Sequence, residues 1–362
     1  MTDHRLTRRE TFSLLAAAAM FPPLPAGTPA VAAAAPATTA GKPMRGAFMI
    51  LTTPFTEAGE VDWDDLAREA RFVDQSGAHG IVWPQGSSGV ANLTKEERMR
   101  GLEVLAKANQ GRKTALVLGV QGRNTAEMLE YARRAEDLAP DAMIAMPPAD
   151  ARSADEYREY FRALAQMTGR PVFVQTSGGA KDLAPPVDLI VDLAREFPHV
   201  AYVKEESAPL IERMTAEIRQ RPLIKGVFGA SYADGWLYEM RLGLDGVMTG
   251  MAMYADLMAR LWDLHVGGQS EAVRDAYSRF LLMRNLNQQI PGADLFVMQK
   301  RGVFKTTTTR TGGAAAWKAK PLSLTPEAIA EIEYRFAALK PYLVEQEVTR
   351  SGAVVLEPQN AW

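Results

Sequence analysis

Lys204 closes the apolar run Val200-Ala201-Tyr202-Val203 and is followed at once by Glu205 and Glu206. An ammonium group is strongly hydrated and seldom buried without a partner. A lysine at the end of a core strand therefore either runs out into solvent or is held there for its amine. Strand side chains alternate between faces, so Tyr202, Lys204 and Glu206 share one face, and Val203 and Glu205 the other. The pattern leaves open which face is the interior. If Lys204 points inward, desolvation lowers its pKa, and a neutral amine can add to a ketone to form a Schiff base. Glu206 is the carboxylate placed to act on that amine, as a base or as a charge partner. The two roles pull apart, because a carboxylate within ~4–6 Å raises a lysine pKa. A second stretch, Gly86-Ser87-Ser88-Gly89, ends another apolar run. A glycine-bounded turn lets backbone N–H groups approach an anion closely, although such a turn standing by itself is unremarkable.

Other chemistries find little support. The chain has no cysteine, which excludes disulfides, thiolate nucleophiles and cysteine-ligated metals. His79, His199 and His265 lie in turns or helix ends without ligand spacing, and His4 is near the N-terminus. No metal and no cofactor is expected, since neither a G-x-G-x-x-G turn, a P-loop nor an H-E-x-x-H pair is found.

The elements that must position Lys204 and the serines can be read from periodicity. From residue 45 onward eight apolar runs alternate with segments of helical spacing: 46–55, 80–86, 114–120, 142–148, 171–177, 200–207, 224–230 and 245–251. Strands alternating with helices imply a parallel sheet, because parallel neighbours need a crossover connection. Eight units predict a (β/α)8 barrel over residues 45–266, in which functional side chains gather at the C-terminal ends of the strands. Residues 267–345 read as a C-terminal helical extension, with two helices separated by a polar loop, KRGVFKTTTTRTGGAAAWKAKP. Residues 346–362 read as a weakly structured tail. Asp150, ahead of an amphipathic segment, is expected to cap a helix. Trp83 and Met146 near strand ends, like Tyr202, are expected to fill the core, while Tyr232 and Tyr254 could reach the barrel mouth.

The first 40 residues differ from the rest. Arg5, Arg8 and Arg9 precede the apolar SLLAAAAMF and then an Ala- and Pro-rich stretch with small-residue cleavage options, the layout of a removable signal peptide. The Arg8-Arg9 pair resembles a twin-arginine export signal, although Phe12 comes one residue later than that pattern usually has it. Export of a folded enzyme to the periplasm or beyond is the expectation. A formal net charge of −2 offers no basic footprint for nucleic acid, and no apolar run approaches the ~20 residues of a membrane span.

Several of these stretches together resemble the dihydrodipicolinate synthase / N-acetylneuraminate lyase family. Gly86-Ser87-Ser88-Gly89 is similar to its Gly-Thr-Thr-Gly loop, and Thr53-Pro54-Phe55 to its opening signature. Leu93-Thr94-Lys95-Glu96-Glu97-Arg98 matches the start of its second helix, and Val203-Lys204-Glu205 its Schiff-base lysine segment. The resemblance spans about residues 45–342. It implies that Lys204 forms an imine with pyruvate or another 2-oxo acid and that Ser87 and Ser88, with Gly86, hold the carboxylate. Gly229 in the seventh run fits the same pattern. It also implies a homo-oligomer, a dimer or tetramer. The chain departs from the family where tyrosines are usual. Gln175 or Phe173 stands in the fifth run, and Pro148-Ala149-Asp150 ends the fourth. Lys181 is the nearest cation where an arginine is usual, and Val90 replaces a glutamate. These losses touch proton transfer and leave the imine-forming pair in place, with Glu206 as the candidate replacement. The expected activity is a class I lyase, aldolase or dehydratase acting on a 2-oxo acid. The rival is a barrel that binds 2-oxo or sugar acids and has lost turnover.

Overall fold

The computed structural model describes residues 41–344; the expected signal peptide and C-terminal tail lie outside them. Eight parallel strands close into a barrel in sequence order. They are β1 (Gly46–Ile50), β2 (Gly80–Trp83), β3 (Ala115–Gly119), β4 (Ala142–Ala145), β5 (Val172–Gln175), β6 (Tyr202–Lys204), β7 (Gly226–Gly229) and β8 (Gly246–Thr249). Eight helices alternate with them: α1 (Trp63–Gln75), α2 (Lys95–Ala108), α3 (Thr125–Asp137), α4 (Ala154–Met167), α5 (Val187–Glu196), α6 (Leu210–Ile218), α7 (Trp236–Leu242) and α8 (Ala255–Val266). The architecture is the (β/α)8 barrel that the eight-fold alternation implies.

Local chemistry starts the helices where it can. Asp62, Thr94 and Asn124 cap α1, α2 and α3 by accepting the backbone N–H three residues on, and Thr94 forms a reciprocal box with Glu97. The strands carry two apolar layers. Outward residues such as Val203, Val227 and Val247 join the large core shared with the helices. Inward ones, among them Phe48, Ile50, Val82, Val117, Ile144, Phe173, Phe228 and Met248, form a separate cluster that fills the lumen, with Tyr202 packed against it. Three phenylalanine rings meet near its centre, Phe228 lying 5.2 Å from Phe48 and 5.1 Å from Phe173 between centroids, both edge-on. The interior of the barrel is therefore plugged with apolar side chains, below the strand ends where functional groups gather in this architecture.

The C-terminal extension is helical as expected, through α9 (Ser270–Gln289) and α11 (Pro326–Ala337), but it holds more than the sequence announces. A third helix, α10 (Ala293–Lys300), follows α9. The stretch expected to be a polar loop contains a short antiparallel hairpin, β9 (Thr309–Thr311) paired with β10 (Lys318–Lys320). Tertiary contacts make it. Arg310 is buried within it, pairs through both guanidinium nitrogens with Glu97 at 2.7 and 2.8 Å, and donates to the carbonyls of Gly59 and Asn92. Its guanidinium lies between the rings of Phe55 and Trp317. The hairpin thereby straps the loops that follow β1 and β2.

Candidate active site

Lys204 lies at the C-terminal end of β6, opposite Gln175 of β5 and Phe228 of β7 in the strand register. Tyr202, two residues earlier, packs into the lumen cluster 5.1 Å from Phe173, so the face shared by Tyr202 and Lys204 is the interior one. The amine is buried, with 3% of its side chain exposed, and its Nζ donates to Glu206 Oε2 at 2.5 Å. Burial pushes the Lys204 ammonium below the ordinary lysine range; the Glu206 carboxylate opposes that shift without cancelling it. A neutral amine is thus easier to reach here than on a free lysine.

Glu206 is joined by a residue that sequence reasoning passed over. Ser177 Oγ donates to Glu206 Oε2 at 2.6 Å and accepts from Gln175 Nε2 at 3.1 Å. The signal was parity: Gln175 and Ser177 are two apart, so once Gln175 faces inward Ser177 follows it. Gln175 is buried, and its Oε1 has no hydrogen-bond partner among the described residues. The loop carrying Ser177 is pinned from outside by Tyr157, whose hydroxyl accepts from the Ala180 N–H at 2.9 Å and donates to the Leu183 carbonyl at 3.1 Å.

The outward face of the same strand end braces the site. Glu205 accepts from Thr176 Oγ1 at 2.6 Å and from the Ser207 N–H at 2.7 Å, and it pairs with Arg213 of α6. Thr176 Oγ1 also accepts from the Glu206 N–H at 2.9 Å, so the backbone of Glu206 is clamped to the loop after β5. Glu217 of α6 stands beside Glu205 in a buried position. Its carboxyl is pushed up by burial and by the neighbouring Glu205 carboxylate.

Ser87 and Ser88 sit at the same end of the barrel, after β2, in a 3-10 turn over Gly86–Ser88 that Gly89 ends at φ 72°. The Ser88 N–H donates to the Gln85 carbonyl, and the Ser88 hydroxyl accepts from the Gln85 N–H at 3.1 Å, its own proton remaining to donate. Thr53 donates to the Ser88 carbonyl at 2.6 Å and accepts from Trp83 Nε1, which ties the turn to the segment after β1. Gly86 and Ser87 are exposed. A side chain at Gly250, just past β8, would stand 2.6 Å from the Ser87 Cβ, with the Tyr232 ring close by.

Other sequence expectations are placed differently. Gly229 turns the position of its missing side chain outward, where any Cβ would strike the Glu239 carboxyl of α7, so its side-chain position does not face the lumen. Asp150 caps no helix. Ser153 caps α4, accepting from the Glu156 N–H, because the helix starts only at Ala154; Asp150 pairs with Arg123 at 3.0 Å instead. Trp83 is core, as expected. Tyr254 is wholly buried, whereas Tyr232 is 44% exposed.

Comparison with known proteins converges on one family. The family model described as "Dihydrodipicolinate synthetase family" matches residues 43–311. A 4-hydroxy-tetrahydrodipicolinate synthase of Chlorobaculum parvum is 28% identical over 246 residues, covering 67% of this chain and 81% of the relative. An uncharacterized DapA-like lyase of Pyrococcus abyssi is 24% identical over 61% of this chain and 74% of its own. Among solved structures, a putative dihydrodipicolinate synthetase from Pseudomonas aeruginosa superposes with TM-score 0.71 at 20% identity, covering 82% of this chain and 100% of that one. The dihydrodipicolinate synthase of Acinetobacter baumannii complexed with pyruvate does so with TM-score 0.67 at 19% identity, over 82% and 98%.

Proposed function

The chain belongs to the dihydrodipicolinate synthetase family, and from that premise we propose that it is a class I lyase whose Lys204 forms a Schiff base with pyruvate or a related 2-oxo acid. The observation that carries this reading is the buried amine itself: a lysine at the C-terminal end of a barrel strand, inside the lumen, with its ionised form disfavoured by burial. Nucleophilic addition of the neutral amine to the 2-oxo carbon gives a carbinolamine, and loss of water gives the imine. The protonated imine then draws electrons from the adjacent carbon, so a bond to C3 or beyond can break or form.

Ser87 and Ser88 are the groups proposed to receive the substrate carboxylate, Ser87 from the open side of its turn and Ser88 through its remaining hydroxyl proton. Lysine-pathway synthesis fits this chain poorly, because its proposed export would place the enzyme outside the cytoplasm. Breakdown of an exogenous 2-oxo acid accords better with residues 1–40 acting as a twin-arginine signal. Assembly into a dimer or tetramer belongs to the same reading.

The decisive experiment is chemical trapping. The mature protein is incubated with pyruvate and a panel of 2-oxo acids, reduced with borohydride and weighed intact. A mass increase on wild type that disappears in Lys204→Ala is expected; no increase with any compound would sink the mechanism and leave a binding pocket. Export is tested separately, by recovery of the processed chain in the periplasm and its retention in the cytoplasm when Arg8 and Arg9 become lysine.

A further inference from the structure

Three polar side chains meet around Lys204 in an order that fixes a direction for proton movement. Gln175 Nε2 can only donate, so Ser177 Oγ must accept from it. The Ser177 proton is thereby directed to Glu206 Oε2, the same oxygen that receives the Lys204 amine. One lone pair of Ser177 Oγ remains for a proton arriving from elsewhere. Glu206 is one-fifth exposed while Lys204 is nearly sealed, so of the pair the carboxylate is the one that solvent reaches. Of the tyrosines near this end of the barrel, Tyr202 is packed into the lumen cluster and Tyr254 is wholly buried, while the exposed Tyr232 is stacked against Arg284.

We propose that Ser177 and Glu206 form the proton relay of the active site, Ser177 touching the substrate and Glu206 storing the proton. The inference rests on the Schiff-base reading above and adds the group that makes turnover possible. In the cleavage direction, the hydroxyl on C4 of the imine gives its proton to Ser177 Oγ as Ser177 passes its own to Glu206. The C3–C4 bond breaks, its electron pair becomes the enamine double bond, the iminium nitrogen is neutralised and an aldehyde leaves. The proton on Glu206 then returns through Ser177 to C3 of the enamine, restoring the imine. Water hydrolyses that imine, matching the water lost when it formed, and frees Lys204. Gln175 acts as a positioning residue that holds Ser177 in the accepting orientation.

The test separates imine formation from proton transfer. Wild type, Ser177→Ala and Glu206→Gln are each mixed with pyruvate, the probe compound, and two quantities are read: the borohydride-trapped adduct, and the rate at which the methyl protons of pyruvate exchange with deuterium oxide. The expected result is an adduct in all three proteins, with exchange reduced roughly 100-fold or more in both variants, the scale of lost general acid–base catalysis. An adduct together with wild-type exchange in Ser177→Ala overturns the relay and leaves the Schiff base standing. Loss of the adduct in the variants alone also overturns it, since the pair would then serve imine formation or the integrity of the site. No adduct in wild type overturns both readings at once.

Discussion

Removing the charge of Glu206 has a second effect, on the amine. That carboxylate favours the ammonium form of Lys204 against the pull of burial, so Glu206→Gln should lower the lysine pKa further. The pH dependence of adduct formation reports it: the acid limb is expected to move to lower pH in Glu206→Gln, and an unmoved or more alkaline limb contradicts the pairing. Burial of the same amine bears on stability. Its folded-state pKa lies below the ordinary 10.5, so between the two values the unfolded chain binds the extra proton and stability rises with pH. Lys204→Met should therefore abolish trapping and remove that rise; thermal midpoints of wild type and variant that climb equally with pH would refute it. Lys204 could be singled out from sequence because an ammonium at the end of an apolar run is anomalous. Ser177 could not, because a serine in Ser-Gly-Gly reads as an ordinary turn until the neighbouring strand shows which parity faces inward.

The turn from β7 into α7 illustrates a constraint at the level of an element. Ser231, Tyr232 and Ala233 all take positive φ, at 47°, 57° and 65°, a left-handed course that side chains other than glycine resist. Tyr277 holds it from α9 by donating to the Ala233 carbonyl at 2.9 Å, and Arg284 of α9 stacks on the Tyr232 ring while pairing with Asp234. Beneath it the Glu239 carboxyl occupies the space left by Gly229 and Gly235. Gly229→Ala should thus overpack this turn and cost about 1–3 kcal/mol, with Glu239→Ala in the same chain recovering part of the loss; wild-type stability in the single variant would show that the turn can yield. Burial, reinforced by Asp234, pushes the Glu239 carboxyl up to about 7. A carboxyl raised in the folded state contributes stability that is present below its ordinary pKa of 4.5 and lost as pH rises toward 7, here on the order of 3 kcal/mol. Unfolding midpoints of wild type and Glu239→Gln measured from pH 4.5 to 8 should diverge over that window. Parallel curves would mean that Glu239 is ionised throughout. None of this was legible in SYADG, where glycine would be the usual way into a left-handed turn.

For the molecule as a whole, eight alternations of apolar run and helical segment were enough to read the barrel, because the period-two and 3.6-residue patterns each report directly on burial. The hairpin of the extension escaped the same reading. Its strands are three residues long, largely polar, and held by a guanidinium whose partners are more than 200 residues away in sequence. Arg310→Ala strands the Glu97 carboxylate next to an empty slot and should cost about 3–5 kcal/mol, lowering the thermal midpoint and loosening the loops after β1 and β2. A change below 1 kcal/mol would make the strap ornamental. The aromatic plug under Lys204 carries a consequence for kinetics. With the lumen closed from below by Phe48, Phe173 and Phe228, reactants have one doorway, and whatever is bonded to the amine occupies the dead end behind it. In cleavage the aldehyde fragment must depart before the 2-oxo acid is released; in synthesis the 2-oxo acid must enter first. Initial-rate plots in the synthetic direction should therefore be parallel lines when an imine-bound enzyme waits for its second reactant, the pattern of a queue in a cul-de-sac.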